Sequence, residues 1–208
     1  MTRIGIYGGT FSPPHNGHIA AAKAFMEQMW LDILYVIPAA TPPHKQMTCA
    51  VSPEDRLNMC RLAFSEMEGV YVSDMEIRRG GKSYTYDTLK ELQRPDTRLF
   101  LLCGTDMVLT FDQWYRFEDI FKMCYPAYVR RENDPILTTK VVAKVQDYYQ
   151  KYGVMFRRIV TEPTVLSSTE IRRAVRDGKD IGALVPPAVA DFIRQNGLYL
   201  EEDKKEET

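Results

Sequence analysis

The chain has 208 residues, 45% apolar and 26% charged, with a formal net charge of −1. That length suits one domain with a substantial core, and the balanced charge argues against a broad electrostatic nucleic-acid footprint. Four scattered cysteines with no CxxC pair argue against a disulfide framework or a thiolate metal site and read as reduced, mostly buried thiols of a cytoplasmic chain. No signal peptide is visible and no apolar run is long enough to span a membrane, so no membrane partner is expected.

In chain order, short apolar runs at 3–7, 33–37, 70–75, 98–103, 125–129 and 155–160 read as strands covered on both faces. Helical patterns lie between them at 19–29, 53–67, 86–92, 113–123 and 136–149. Ser52-Pro53-Glu54-Asp55 is a helix start, with a hydroxyl cap, a proline in the first turn and acids behind it. Two more helices follow Ser167 and Pro186-Pro187, and Gly197 is a stop for the last. The alternation predicts an α/β fold, a Rossmann-like, doubly wound parallel sheet with helices on both faces and helices at the C-terminal end. We expect a single domain over 1–200 and a charged, disordered tail over 201–208. Residues 132–152 read as added material, either a surface helix or an oligomer contact, which leaves a homo-oligomer open.

The segment between the first strand and the first helix is Gly8-Gly9-Thr10-Phe11-Ser12-Pro13-Pro14-His15-Asn16-Gly17-His18. Glycines let backbone approach a ligand closely. Histidines at a helix mouth donate to an anion held at its positive end. His15 and His18 are therefore candidates for binding the phosphates of a nucleoside triphosphate. Two alternatives are a plain strand-to-helix loop and half of a metal site, but no thiolate or carboxylate within the motif completes the latter. In the Rossmann order the first and fourth strands are neighbours at the switch point, which draws Gly104-Thr105-Asp106, after the fourth strand, towards the same crevice.

Ser167-Ser168-Thr169-Glu170 is first a capping box, and Arg172 lies one turn inside that helix. Lys45, in Thr41-Pro42-Pro43-His44-Lys45, reads by itself as an ordinary exposed lysine. Gly81-Lys82-Ser83 imitates the end of a Walker A loop, but Glu76 stands where that loop needs glycine. Trp114 and Tyr115 run with Phe111, Phe117, Ile120 and Phe121 in an aromatic stripe of the kind usually found in cores.

Gly8-Gly9-Thr10-Phe11 with His15-Asn16-Gly17-His18 resembles the signature of the HxGH nucleotidylyltransferases. With Pro42-Pro43-His44-Lys45, Ser83-Tyr84-Thr85-Tyr86-Asp87-Thr88-Leu89, Gly104-Thr105-Asp106, Trp114-Tyr115 and Ser167-to-Arg172 in order, nearly the whole chain resembles the bacterial nicotinate-nucleotide adenylyltransferase family. That resemblance implies an enzyme joining ATP to nicotinate mononucleotide, with deamido-NAD and pyrophosphate as products. It implies ATP on Gly8, Gly9, His15, His18, Gly104, Asp106, Ser167, Ser168 and Arg172, with His15, His18 and Arg172 catalytic. It places the mononucleotide on Thr10, Phe11, Lys45, Thr85, Trp114 and Tyr115, and Mg²⁺ mainly on the ATP phosphates. The family usually carries an acidic residue after the Phe, and this chain has Ser12. The rival readings are another HxGH transferase, using phosphopantetheine or a cytidine nucleotide, and a dinucleotide sensor that has lost catalysis.

Overall fold

The computed structural model describes residues 1–42, 51–130, 134–161 and 166–201. Six strands, β1 (Thr2–Gly9), β2 (Ile33–Pro38), β3 (Val70–Val72), β4 (Thr97–Gly104), β5 (Cys124–Val129) and β6 (Arg157–Ile159), form one sheet in the order β3-β2-β1-β4-β5-β6. The described pairings are parallel, and the direction of winding reverses between β1 and β4, whose register sets Tyr7 beside Leu102. The doubly wound architecture expected from the alternating pattern is the one present. β3 is shorter than the apolar run at 70–75, because Met75 opens a helix instead.

Nine helices are described: α1 (Asn16–Gln28), α2 (Pro53–Ala63), α3 (Met75–Arg79), α4 (Thr85–Leu92), α5 (Thr105–Leu109), α6 (Phe117–Met123), α7 (Pro135–Tyr152), α8 (Ser168–Arg176) and α9 (Pro187–Gln195). Their ends follow local chemistry. Ser52 caps α2 by accepting from the Asp55 amide, with Pro53 in the first turn. The Asp134 carboxylate caps α7 by accepting from the Ile136 and Leu137 amides, and Gly153 ends α7 at φ 68°. Gly197 turns at φ 58° after α9, and the Leu198 amide returns to the Ile193 carbonyl. α3 and α5, of five residues each, are too short to show a helical period in the sequence.

The described chain divides into two compact units. The first holds Met1–Gly8, Ala20–Tyr35 and Tyr84–Val165; its core includes Tyr7, Phe25, Leu34, Leu102, Val108 and Phe111. In it α7 lays Val141 and Tyr148 inward, and Tyr148 rings against Phe111, Phe121 and Phe156, so α7 is docked on the core of this unit by one face. The Tyr148 hydroxyl donates to the Val108 carbonyl and accepts from the Asp112 amide, while Lys144 pairs with Asp112 at 2.7 Å. The second unit holds Gly9–Ile19, Val36–Ser83 and Leu166–Thr208, with Phe11, Leu57, Met59, Cys60, Phe64, Val185, Val189 and Ile193 buried. Among the described residues no helix is long and apolar enough to cross a membrane.

Candidate active site

Rings and glycines of the motif shape one another. Phe11 takes a left-handed backbone, φ 48°, and buries its ring edge-on to His18 at 5.0 Å and to Phe64 at 6.4 Å. A Cβ at Gly9 would lie 3.0 Å from that ring, and one at Gly17 would lie 3.1 Å from the His15 ring. A side chain at either glycine would therefore push against a ring of the motif by a few tenths of an ångström. His15 and His18 are buried, with ring centroids 3.7 Å apart.

The His15 amide donates to Nδ1 of His18 at 3.1 Å. A neutral His18 then carries its proton on Nε2, as a donor. The helix opens at Asn16, earlier than the apolar pattern suggests, because the His18 and Ile19 amides both reach the His15 carbonyl. The Asn16 amide and side chain tie this start to the carbonyls of Leu184 and Ala183.

Three side chains hold carbonyls of the loop before the histidines. Arg56 donates from Nη1 to the Thr10 carbonyl at 2.9 Å, Arg172 from Nη1 to the Ser12 carbonyl at 2.9 Å, and the Ser168 hydroxyl to the Pro13 carbonyl at 2.9 Å. Ser12 is buried, its hydroxyl 3.0 Å from that of Tyr199. Ser167 and Glu170 form the expected capping box at the start of α8. Arg172 is thereby held against the motif loop.

Arg56 and Tyr199 are absent from the sequence reading. For Arg56 a signal existed: it lies on the stripe of α2 that also carries Cys60 and Ala63 and runs on to the cap residue Phe64, all buried. Burial pushes the Cys60 thiol up, against the lowering charge of Arg56, and burial pushes the Cys124 thiol up as well. Neither is a thiolate nucleophile near neutral pH.

The other candidates lie in the first unit. Gly104 caps α5, Thr105 is buried, and Asp106 stands exposed in the first turn. Trp114 and Tyr115 are not in a helix, contrary to the continuous pattern at 113–123. Phe111–Gln113 form a 3-10 turn, Trp114 is extended, and Arg116 is left-handed at φ 56° before α6 begins. Arg116 pairs with Asp119 at 2.7 Å and lies 4.1 Å over the Tyr86 ring, which holds the break open. Trp114, Phe117 and Phe121, at i, i+3 and i+7, keep a helical spacing that conceals it.

Trp114 is half-buried and stacks one face on Phe111 at 4.4 Å, while Tyr115 is half exposed beside Tyr84 at 4.7 Å. Thr85 is the first residue of α4; the cap position is Tyr84, which makes no side-chain cap bond. Gly8 is the penultimate residue of β1. Lys45 lies outside the described residues. The imitation of a Walker loop is settled by Ser83, which is buried and bonds to the Ala40 amide and the Thr41 carbonyl.

Among the described residues no group of three or more His, Cys, Asp or Glu side chains is arranged to hold a metal ion. Near Asp112, burial raises the carboxyl, but the hydrogen bond and charge of Lys144, a backbone amide and the Tyr148 hydroxyl outweigh it and hold it below the usual carboxylate range.

Residues 6–174 match the cytidylyltransferase-like family. A protein of Desulfatibacillum aliphaticivorans named probable nicotinate-nucleotide adenylyltransferase is 38% identical over 95% of this chain and 100% of its own length. One of the same name from Synechococcus sp. strain JA-3-3Ab is 39% identical over 96% of this chain and 95% of its own. The fold is also that of Plasmodium falciparum nicotinic acid mononucleotide adenylyltransferase. Its complex with NaAD superposes with a TM-score of 0.73 at 19% identity, over 96% of this chain and 98% of that one. Its complex with APC gives 0.71 at 18% identity, with the same coverage.

Proposed function

The chain belongs to the nicotinate-nucleotide adenylyltransferase family of cytidylyltransferase-like proteins, and from that premise we propose that it joins ATP to nicotinate mononucleotide, releasing pyrophosphate and forming nicotinate adenine dinucleotide. An oxygen of the mononucleotide phosphate attacks the α-phosphorus of ATP in line. The new P–O bond forms as the bond to the β-phosphate oxygen breaks, and the electron pair leaves on pyrophosphate. A phosphate monoester is already ionised near neutral pH, so no protein base is needed. Catalysis is then positioning and stabilisation of moving charge.

The observation that carries this reading is the buried His15–His18 pair at the opening of α1, where the His15 amide on Nδ1 leaves the His18 proton at Nε2. That atom is a directed donor for phosphate oxygens. His15, Ser168 and Arg172 would add donors and charge for the departing pyrophosphate, with Gly8, Gly9 and Ser167 lining the approach. Asp106 and Gly104 would hold the ATP ribose. The Thr10–Phe11 backbone would receive the mononucleotide phosphate with Lys45. Trp114 and Tyr115 would stack the pyridine, and Thr85 would read its carboxylate. The described residues form no metal cage of their own. Mg²⁺ would ride mainly on the ATP phosphates and keep several waters, and no step here is routed through it.

Incubation with ATP and nicotinate mononucleotide, with both products resolved by chromatography, tests the reading. We expect dinucleotide and pyrophosphate in equal amounts. Pyrophosphate without dinucleotide, or neither product from folded protein, would refute it.

A further inference from the structure

We infer that Arg56 is a positioning residue of this reaction, one that aims a backbone amide of the motif loop at the acceptor phosphate. The inference rests on the function proposed above. Arg56 is completely buried. Its Nη1 donates to the Thr10 carbonyl at 2.9 Å, and its Nη2 donates to the carbonyls of Ala39 at 2.6 Å and Ala40 at 3.3 Å. One planar ion thus joins the segment that follows β1 to the segment that follows β2. The Ala39 amide also donates to the carbonyl of Gly9, the last residue of β1, at 2.9 Å.

The consequence follows from peptide geometry. In a planar trans peptide the C=O and the N–H point in opposite directions. The Thr10–Phe11 peptide is trans, the Ser12-Pro13 bond being the cis one among the described residues. Fixing the Thr10 carbonyl on a buried guanidinium therefore turns the Phe11 N–H the opposite way, away from Arg56. The other two held carbonyls do nothing comparable. Arg172 holds that of Ser12 and Ser168 that of Pro13, and each of those peptides leads into a proline, with no N–H to aim.

Of the three contacts, only that of Arg56 orients an amide donor, and it does so from a side chain that is itself immobilised. Lysine could keep the charge but could not span both segments with a rigid fork. The buried charge also stands behind an amide whose positive end is directed at an anion, so field and dipole act in the same sense.

Steady-state kinetics of Arg56→Lys, with Met59→Ala as control, test this. Met59 is buried on the same helix and has no place in the site; both variants are first compared by thermal melting. We expect Arg56→Lys to raise KM for nicotinate mononucleotide about tenfold or more while KM for ATP moves less than about threefold. Met59→Ala should melt earlier with both constants unchanged. Equal KM values in wild type and folded Arg56→Lys would overturn the inference, as would a rise shared equally by both substrates. An Arg56→Lys protein that folds at no temperature would overturn it too, by assigning Arg56 to folding alone. If the wild type itself makes no dinucleotide, the proposed function fails first; wild-type turnover with an unaltered Arg56→Lys sinks only the role of Arg56.

Discussion

Two regions carry most of the proposed chemistry, and they are built differently. Around residues 10–13, side chains hold backbone: Arg56, Arg172 and Ser168 each donate to a loop carbonyl at 2.9 Å. Around Trp114, rings hold rings. Trp114 stacks on Phe111, Phe111 stacks on Phe121 at 5.0 Å, and Tyr148 closes the cluster. Directional bonds to charged donors fix orientation, so their loss should appear in rates while much of the fold survives. Stacked rings supply buried area, so their loss should appear first in stability. If the two regions respond alike to substitution, that distinction fails.

The largest effect is expected at His18. His18→Ala should cut kcat about a hundredfold or more, roughly 3 kcal/mol of transition-state stabilisation, with the melting temperature little changed. A folded variant with ordinary turnover would remove His18 from the mechanism. Arg172→Lys comes next. It keeps the charge but loses the fork that reaches the Ser12 carbonyl, and kcat/KM should fall about tenfold or more. Full activity would make Arg172 a structural clamp only.

The ring region should answer differently. Trp114→Ala should cost about 2–3 kcal/mol of stability, since the side chain is half-buried and loses its stack on Phe111. It should raise KM for the mononucleotide and leave that for ATP nearly constant, while Trp114→Phe restores most of both. Early melting with unchanged KM values would leave Trp114 in the core and out of the site.

These expectations also measure how far a single sequence could be read. The glycine and histidine motif, the capping box at Ser167 and the winding of the sheet were legible because each is local or follows from strand order. Arg56 and Tyr199 were not, because their partners are distant. Arg56 meets the Thr10 carbonyl 46 positions away, and Tyr199 meets Ser12 across 187 positions. The break at Trp114 escaped notice because it depends on the left-handed Arg116, its ion pair with Asp119 and its place over the Tyr86 ring, while Trp114, Phe117 and Phe121 keep a helical spacing. Ser12 was legible as a departure from the family, but not its burial against Tyr199.

That burial sharpens the expectation for Ser12. Its hydroxyl already has a partner in Tyr199, so Ser12→Asp should raise turnover by no more than about threefold. Rescue by orders of magnitude from a nearly inactive wild type would favour a sensor that has lost catalysis.

The smallest effect concerns the docking of α7. Lys144 holds Asp112 below the usual carboxylate range, so this pair stabilises the fold above about pH 4 and is lost as pH falls through the lowered value. Both groups are partly exposed, which limits the contribution to about 0.5–1 kcal/mol. Asp112→Asn should melt earlier than wild type at neutral pH, and the gap should narrow in acid. A gap independent of pH would assign the effect to packing.

The chain transfers an adenylyl group to a pyridine mononucleotide in the reaction proposed above. Pyrophosphate release from ATP, measured with nicotinate mononucleotide, nicotinamide mononucleotide and phosphopantetheine side by side, tests it most directly. The highest kcat/KM is expected with nicotinate mononucleotide, and no release above background with phosphopantetheine. Release driven best by phosphopantetheine, or release indifferent to any acceptor, would contradict it.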